Sequence, residues 1–343
     1  MRRVGTLSVS AIVLAAVIAQ PCTAWGEEEL AGTWENYAAS PIADESEFAK
    51  GGYVLDETSP ASCSGGSGQS TSAWDSPGLF EELSFFGGID GSKQPQDFGV
   101  NAQLGGQASM NWGLPLLPQY GVGAQFGTGI TATGNAVRVY ELLGETTGRT
   151  QSFTTLGLFQ RLDNGFSWGG VHDFLYENYF DDFFLSQWRT RAAFDLTASD
   201  QIGVTAMIDS NDDQGVFGAD TLVTLRPITQ GHIYWRHYWQ TGAQTAFWCG
   251  LAEGHAEDNA VTGYSPPKNE SFLLGADILA PLSRSFAVFG ETNLIMPADT
   301  GTVDAFLGIM WVPGGDARRA RRGAYSPMMS LAAPTSFAVD LVR

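Results

Sequence analysis

The sequence predicts an all-β fold, an antiparallel up-and-down transmembrane β-barrel of about twelve strands, with ten to fourteen acceptable. Three observations carry this. Apolar and polar-or-glycine residues alternate through most of residues 79–312, the alternating runs are long, and no later segment approaches a membrane-spanning helix. Alternation sends one class of side chain to each face of a strand. Soluble strands average about 5–6 residues, whereas a barrel strand needs about 9–11 to cross a bilayer. Closure is also the only way for strands to cross lipid without exposing backbone edges.

Composition fits that class and excludes others. The 343 residues include 42 glycines, only 16 % charged residues and 12 % aromatics. Such a chain is not a coiled coil, a basic nucleic-acid binder or a wholly disordered polymer. The formal charge is -19, and residues 27–313 carry 11 basic against 35 acidic residues. That body repels nucleic acid and attracts cations.

Residues 1–26 read as a secretory signal peptide. Arg2 and Arg3 precede an apolar run from Val9 to Ala19, and Ala24-Trp25-Gly26 suits cleavage before Glu27. The run is too short for a membrane anchor, and Ala19-Gln20-Pro21 before Cys22 does not resemble a lipobox. Residues 27–76 hold ten acidic residues, one lysine and the Ser/Gly stretch around Cys63, which predicts an acidic disordered tether. Cys63 and Cys249 show no metal-ligand spacing, and no bridge between them is expected.

The barrel is expected over 77–313. Across 98–112 the even positions read Phe98, Val100, Ala102, Leu104, Gly106, Ala108, Met110 and Trp112, with Gln103, Gln107 and Asn111 among the odd ones. A second run places Val122, Ala124 and Phe126 outward and Gly123 and Gln125 inward. Residues 151–162 and 166–177 flank Asp163-Asn164-Gly165, a hairpin signal. Further candidates are 79–90, 184–197, 201–209, 219–227, 231–240, 244–252, 271–280, 285–295 and 302–312. That makes thirteen, an odd number where single-chain bacterial barrels usually have an even one. Either one of these candidates is not a strand or one strand is missing, such as Thr335–Val342. Short and long connections alternate in the first half, but 240–244 is too short and 253–270 too long to continue that order. Residues 314–343 are expected as a basic C-terminal tail, marked by Arg318, Arg319, Arg321 and Arg322.

Two sets of residues are singled out. Trp112, Tyr120, Trp168, Tyr176, Trp188, Trp235, Trp239 and Trp311 fall mostly near strand ends and predict an aromatic girdle at the membrane interface. Arg161, Arg189, Arg191, Arg226 and Arg236, with Asp173, Asp195, Asp277, Glu291 and Asp304, lie opposite the apolar faces and are expected to point into the lumen. Two arrangements fit these charges, a water-filled constriction with a transverse field or a plugged lumen whose charges pair. An open lumen would favour cations modestly.

Catalytic and metal sites are not expected. His172 and Asp173 are adjacent on a strand and face oppositely, His232 and His237 lack ligand spacing, and the nucleophile-elbow pattern is absent. Asp209, Asp212, Asp213 and Asp220 miss the EF-hand pattern and read as a surface loop. No cofactor is implied. From Phe85-Phe86-Gly87-Gly88-Ile89-Asp90-Gly91-Ser92-Lys93-Gln94-Pro95 through Asn111-Trp112-Gly113-Leu114-Pro115, the chain resembles an uncharacterised bacterial family of exported outer-membrane β-barrel proteins. Leu158-Phe159-Gln160-Arg161 and Trp235-Arg236-His237-Tyr238 add to the resemblance, which covers roughly 79–343. It implies a compartment and a barrel but no activity or catalytic residue.

The expected role is a porin-like passive channel or a structural surface protein of the outer membrane. Its partners would be outer-membrane lipid and small hydrophilic solutes or ions. A soluble exported β-sandwich that binds a ligand is the second reading, and an outer-membrane barrel hydrolase the third.

Overall fold

The computed structural model describes residues 80–97, 102–136, 148–218, 220–253, 270–296 and 302–342. The expected signal peptide, acidic tether and Cys63 lie outside these residues. Twelve antiparallel strands close into a barrel: β1 (Leu83–Lys93), β2 (Gln103–Leu117), β3 (Val122–Asn135), β4 (Gly148–Arg161), β5 (Phe166–Asn178), β6 (Asp182–Asp195), β7 (Asp200–Asn211), β10 (Gln230–Tyr238), β11 (Gln244–Glu253), β12 (Glu270–Pro281), β13 (Phe286–Ile295) and β14 (Val303–Trp311). β1 closes the ring on β14, with Phe85 opposite Trp311 and Lys93 opposite Val303. Closure excludes the sandwich.

Three further strands form a separate antiparallel sheet: β8 (Asp213–Phe217), β9 (Thr221–Pro227) and β15 (Val339–Val342), in the order β15-β9-β8. Candidate 219–227 is therefore β9 and not a wall strand. Its apolar alternation is satisfied by β8 and β15 and by packing of Val223 and Leu225 against Phe183 and Leu185 of the inner wall. The change also explains the broken order of connections. Removing one strand reverses the direction of every later one, so 239–243 and 282–285 become short turns at the same end as 118–121, 162–165 and 196–199. The opposite end carries the connections 94–102, 136–147, 179–181, 212–229, 254–269 and 296–302.

The turns are built locally. At 162–165 the Gly165 N–H donates to the Leu162 carbonyl at 3.1 Å, and the Leu162 N–H to Phe166 at 2.9 Å. Asn164 Oδ1 accepts the Phe166 N–H at 3.0 Å. Gly165 has φ 83°, a left-handed conformation that residues with a Cβ rarely adopt.

The expected facing holds around the wall. Gln125 is buried while Ala124 and Phe126 on either side are half-buried and turned outward. Phe85, Ile89, Leu104, Ile130, Leu156, Leu158, Val204, Ile233, Phe247, Leu251, Phe272, Ile278, Leu307 and Ile309 are exposed on the outer surface. Among the described residues, charged groups of the wall strands either face inward or lie within three residues of a strand end.

Residues 314–342, expected as a tail outside the barrel, instead run through it. After β14 the chain turns back at the short-turn end, where the Ala317 N–H bonds the Arg284 carbonyl. It then passes along the lumen as an irregular segment, with bends at 328 and 329 and a 3-10 turn at Pro334–Ser336, and joins β9 at the opposite end, with Val339 opposite Pro227 and Leu341 opposite Leu225. Ala317, Met328, Leu331, Ala332, Ala333, Phe337, Ala338, Val339 and Leu341 are all buried and take part in the three apolar clusters that fill the interior.

Candidate functional site in the barrel lumen

A segment without strand ladders inside a closed barrel has no sheet edge to pair with, yet its buried backbone groups need partners. Side chains of the wall supply them. Arg161 donates to the Ser326 carbonyl at 2.8 Å, Arg191 to Met328 at 3.1 Å and Arg189 to Ser330 at 2.9 Å. Three arginines of β4 and β6 thus take the carbonyls of alternate residues, Ser326, Met328 and Ser330. The intervening Met329 is held from another side. Gln125 pairs with both its N–H and its carbonyl, and Asn111 Nδ2 donates to the same carbonyl at 3.1 Å. Farther along, Thr155 Oγ1 accepts the Ala332 N–H at 3.0 Å, and Gln187 donates to the Ser336 carbonyl at 2.9 Å.

Room for the segment comes from glycines on the inner face. A Cβ on Gly127 would sit 3.0 Å from the Leu331 side chain, and one on Gly129 2.7 Å from it. Glycine at alternate inward positions of β3 is therefore a space requirement, and it is the one sequence signal that could have revealed the segment.

The predicted lumen residues divide. Arg161, Arg189, Arg191, Arg236, Asp173, Asp277, Glu291 and Asp304 point inward as expected. The threaded segment runs among them, and Arg161, Arg189 and Arg191 bond its backbone. Arg189 is held by Asp173 through two 3.0 Å contacts, both side chains being buried. Arg236 and Arg321 share Asp277 at 3.4 and 2.8 Å. Glu291 accepts from Thr335 at 2.7 Å, and Asp304 from Gln94 at 3.2 Å. Asp195 is exposed at the short-turn rim, where it accepts from Gln201 at 2.8 Å. Arg226 does not line the wall at all. It belongs to β9, where it lies opposite Asp340 in the ladder and 3.5 Å from its carboxylate.

At the long-loop end, Arg149 anchors a second buried network with Asp97 at 3.5 Å, Glu177 at 3.9 Å, Gln151 at 3.0 Å and Ser92 at 3.3 Å. Burial raises the Asp97 carboxyl above its usual range against the pull of Arg149. Sequence reading missed Gln125, Asn111, Thr155 and Gln187 as partners of the segment, because an inward amide or hydroxyl reads simply as the polar face, and it missed Arg149 as the anchor of the second network.

Beside the segment, toward β10–β14, a cavity of about 110 Å³ remains, lined by Arg191, Arg236, Tyr234, Asp277, Phe289 and Arg321 among others. His172 faces outward between Phe174 and Trp188 while Asp173 faces the lumen, so the two form no dyad.

The aromatic set also divides. Trp112, Tyr120, Trp168, Trp235, Trp239 and Trp311 cluster near the short-turn end. The indole N–H groups of Trp168, Trp235 and Trp239 find polar partners in Gln160, Asp200 and Thr245 at 2.9–3.1 Å. Rings with an apolar body and a bonded polar tip suit a membrane interface. Tyr176 is near the other end, bonded to Asp182 at 2.9 Å. Trp188 departs from the expected girdle, since it lies midway along β6 and opposite His172.

The family described as "Family of unknown function (DUF6666)" matches residues 82–339. No curated protein matches the sequence. Among solved structures, the chain is similar to the KdgM porin at 7 % identity and a TM-score of 0.37, covering 66 % of this chain and 98 % of that one. It is similar to the translocator domain of the autotransporter NalP from Neisseria meningitidis at 9 % identity and 0.41, covering 67 % and 87 %. The third likeness is to the Ralstonia pickettii toluene transporter TbuX, at 10 % identity and 0.37, covering 69 % and 92 %. The barrel itself is established by the strand pairing of this chain.

Proposed function

The chain belongs to this family of unknown function, DUF6666, and we propose that it is an outer-membrane barrel of porin-like build, closed by its own C-terminal segment and acting as a structural surface protein. The observation that carries this reading is the threaded segment, whose backbone is bonded to the wall from Ser326 to Ser336. The membrane assignment is supported by the outer surface, where exposed Leu, Ile, Val, Phe and Trp side chains encircle the barrel without charged groups between the strand ends. Lipid is the solvent such a belt fits. Short turns face the periplasm in barrels of this kind and longer connections face outward. The β8–β9–β15 sheet is then on the cell surface, and the membrane lipid is the principal partner. Ions or small hydrophilic solutes are partners only of a state in which the segment has left the lumen. The role is not enzymatic, and a lipid and peptide hydrolysis screen should give no turnover.

The test is conductance of the full-length protein in planar bilayers, after carbonate-washed outer membranes have been shown to retain it. No steady channel is expected. A stable ohmic conductance of porin size would overturn the closed reading, and loss of the protein from washed membranes would overturn the membrane one.

A further inference from the structure

The arginines of the lumen are not all matched by carboxylates. Arg189 has Asp173, whereas Arg236 and Arg321 converge on the single Asp277. Arg191 bonds only neutral groups, the Thr205 hydroxyl at 3.2 Å and the Met328 carbonyl at 3.1 Å. The three guanidiniums lie close together. Those of Arg191 and Arg236 sit 5.1 and 5.5 Å from the centre of the Tyr234 ring, and Arg321 lies 4.7 Å from the Phe289 ring. All three line the cavity of about 110 Å³. Glu291 lines it too and accepts from Thr335. Glu81 and Glu82 line it as well, just before β1, and among the described residues none of these carboxylates bonds Arg191. Arg236 Nε and His232 Nδ1, both buried and both from residues lining this cavity, also lack a hydrogen-bond partner among the described residues.

We propose that this cavity binds one small oxyanion, of the phosphate or sulfate class, between Arg191, Arg236 and Arg321. A buried guanidinium with no carboxylate bonded to it, such as Arg191, is unfavourable. Guanidinium forks bond tetrahedral or planar oxygen groups with charge-assisted hydrogen bonds, and the cavity exceeds the roughly 30 Å³ share of one water molecule. Arg191 and Arg236 belong to the wall, and Arg321 to the segment that threads it. The anion therefore ties the two together and favours the closed state. The inference rests on the threaded arrangement, but its readout is ligand binding and not conductance.

The test uses the full-length barrel in detergent, with inorganic phosphate as the probe and chloride holding ionic strength constant. A saturable rise in unfolding temperature is expected, with about one phosphate bound per chain by equilibrium dialysis. Arg321→Gln keeps the Arg236–Asp277 pair and touches no carbonyl clamp, and should weaken phosphate binding about tenfold, the loss of one charge-assisted contact. Asp277→Asn removes the competing carboxylate and should tighten it. Absence of bound phosphate in the unaltered protein would overturn the proposal whether or not the variants fold, and so would equal responses in the unaltered protein and both variants.

Discussion

The side-chain amide of Gln125 donates to the Met329 carbonyl at 2.9 Å and accepts the Met329 N–H at 3.2 Å. A wall residue thereby pairs the threaded chain as a neighbouring strand would. The segment inside the lumen is integrated into the wall's hydrogen bonding.

The two sides of β3 should respond oppositely to the same substitution. Ala124→Arg puts a cation on the lipid face, at a cost of about 2–4 kcal/mol near the bilayer midplane, and should impair assembly in a refolding assay. Gln125→Arg should still assemble, because its side chain faces the lumen. It removes the pairing with Met329, so hydrogen exchange at 327–333 should rise. Equal assembly of the two variants would contradict the register.

Removing one side of the Asp173–Arg189 pair should be costly. Both side chains are nearly inaccessible, at 0 % and 1 % exposure, and Asp173→Asn leaves a buried guanidinium without its counter-charge. A loss of about 3–5 kcal/mol is expected, read as a lower unfolding temperature of the detergent-solubilised barrel.

Filling the space opposite Leu331 should expel the segment while sparing the wall. Gly127→Phe introduces a ring where Leu331 now lies within 3.0 Å of the missing Cβ. The variant should conduct steadily in planar bilayers and keep its β-rich circular dichroism. A silent, fully folded variant would contradict the role of that glycine.

Acidification should relieve a penalty at Glu82, just before β1. Burial raises its carboxyl above the usual range, only partly offset by Arg161 and by the Tyr325 backbone. With the folded value above the unfolded one, the native state holds its proton more tightly, and stability falls as pH rises through the folded value. Glu82→Gln should therefore raise the unfolding temperature at pH 7, and the gain should vanish below the ordinary glutamate range. A gain that persists at low pH would show another cause.

The wall was legible in residues 79–312 because alternation is a local property. Each residue's class marks its face, so Gln103, Gln107, Gln125 and Asp304 could be placed inside, and Leu307 and Ile309 outside, without knowing any partner strand. The turn at Asn164-Gly165 was equally local, since its left-handed glycine is a property of the chain itself.

Strand pairing decided the rest. Residues 219–227 alternate like any wall strand, and only their ladders with β8 and β15 remove them from the barrel and restore the order of short and long ends. The segment from 326 to 338 has no periodicity to betray it, because its backbone is satisfied by side chains far away in sequence, up to 218 residues in the case of Asn111 and Met329. The sequence by itself determined the barrel and the face of each wall residue. The tertiary structure alone decided that inward arginines hold a chain, because only closure of the ring brings Arg161, Arg189 and Arg191 against the carbonyls they bond.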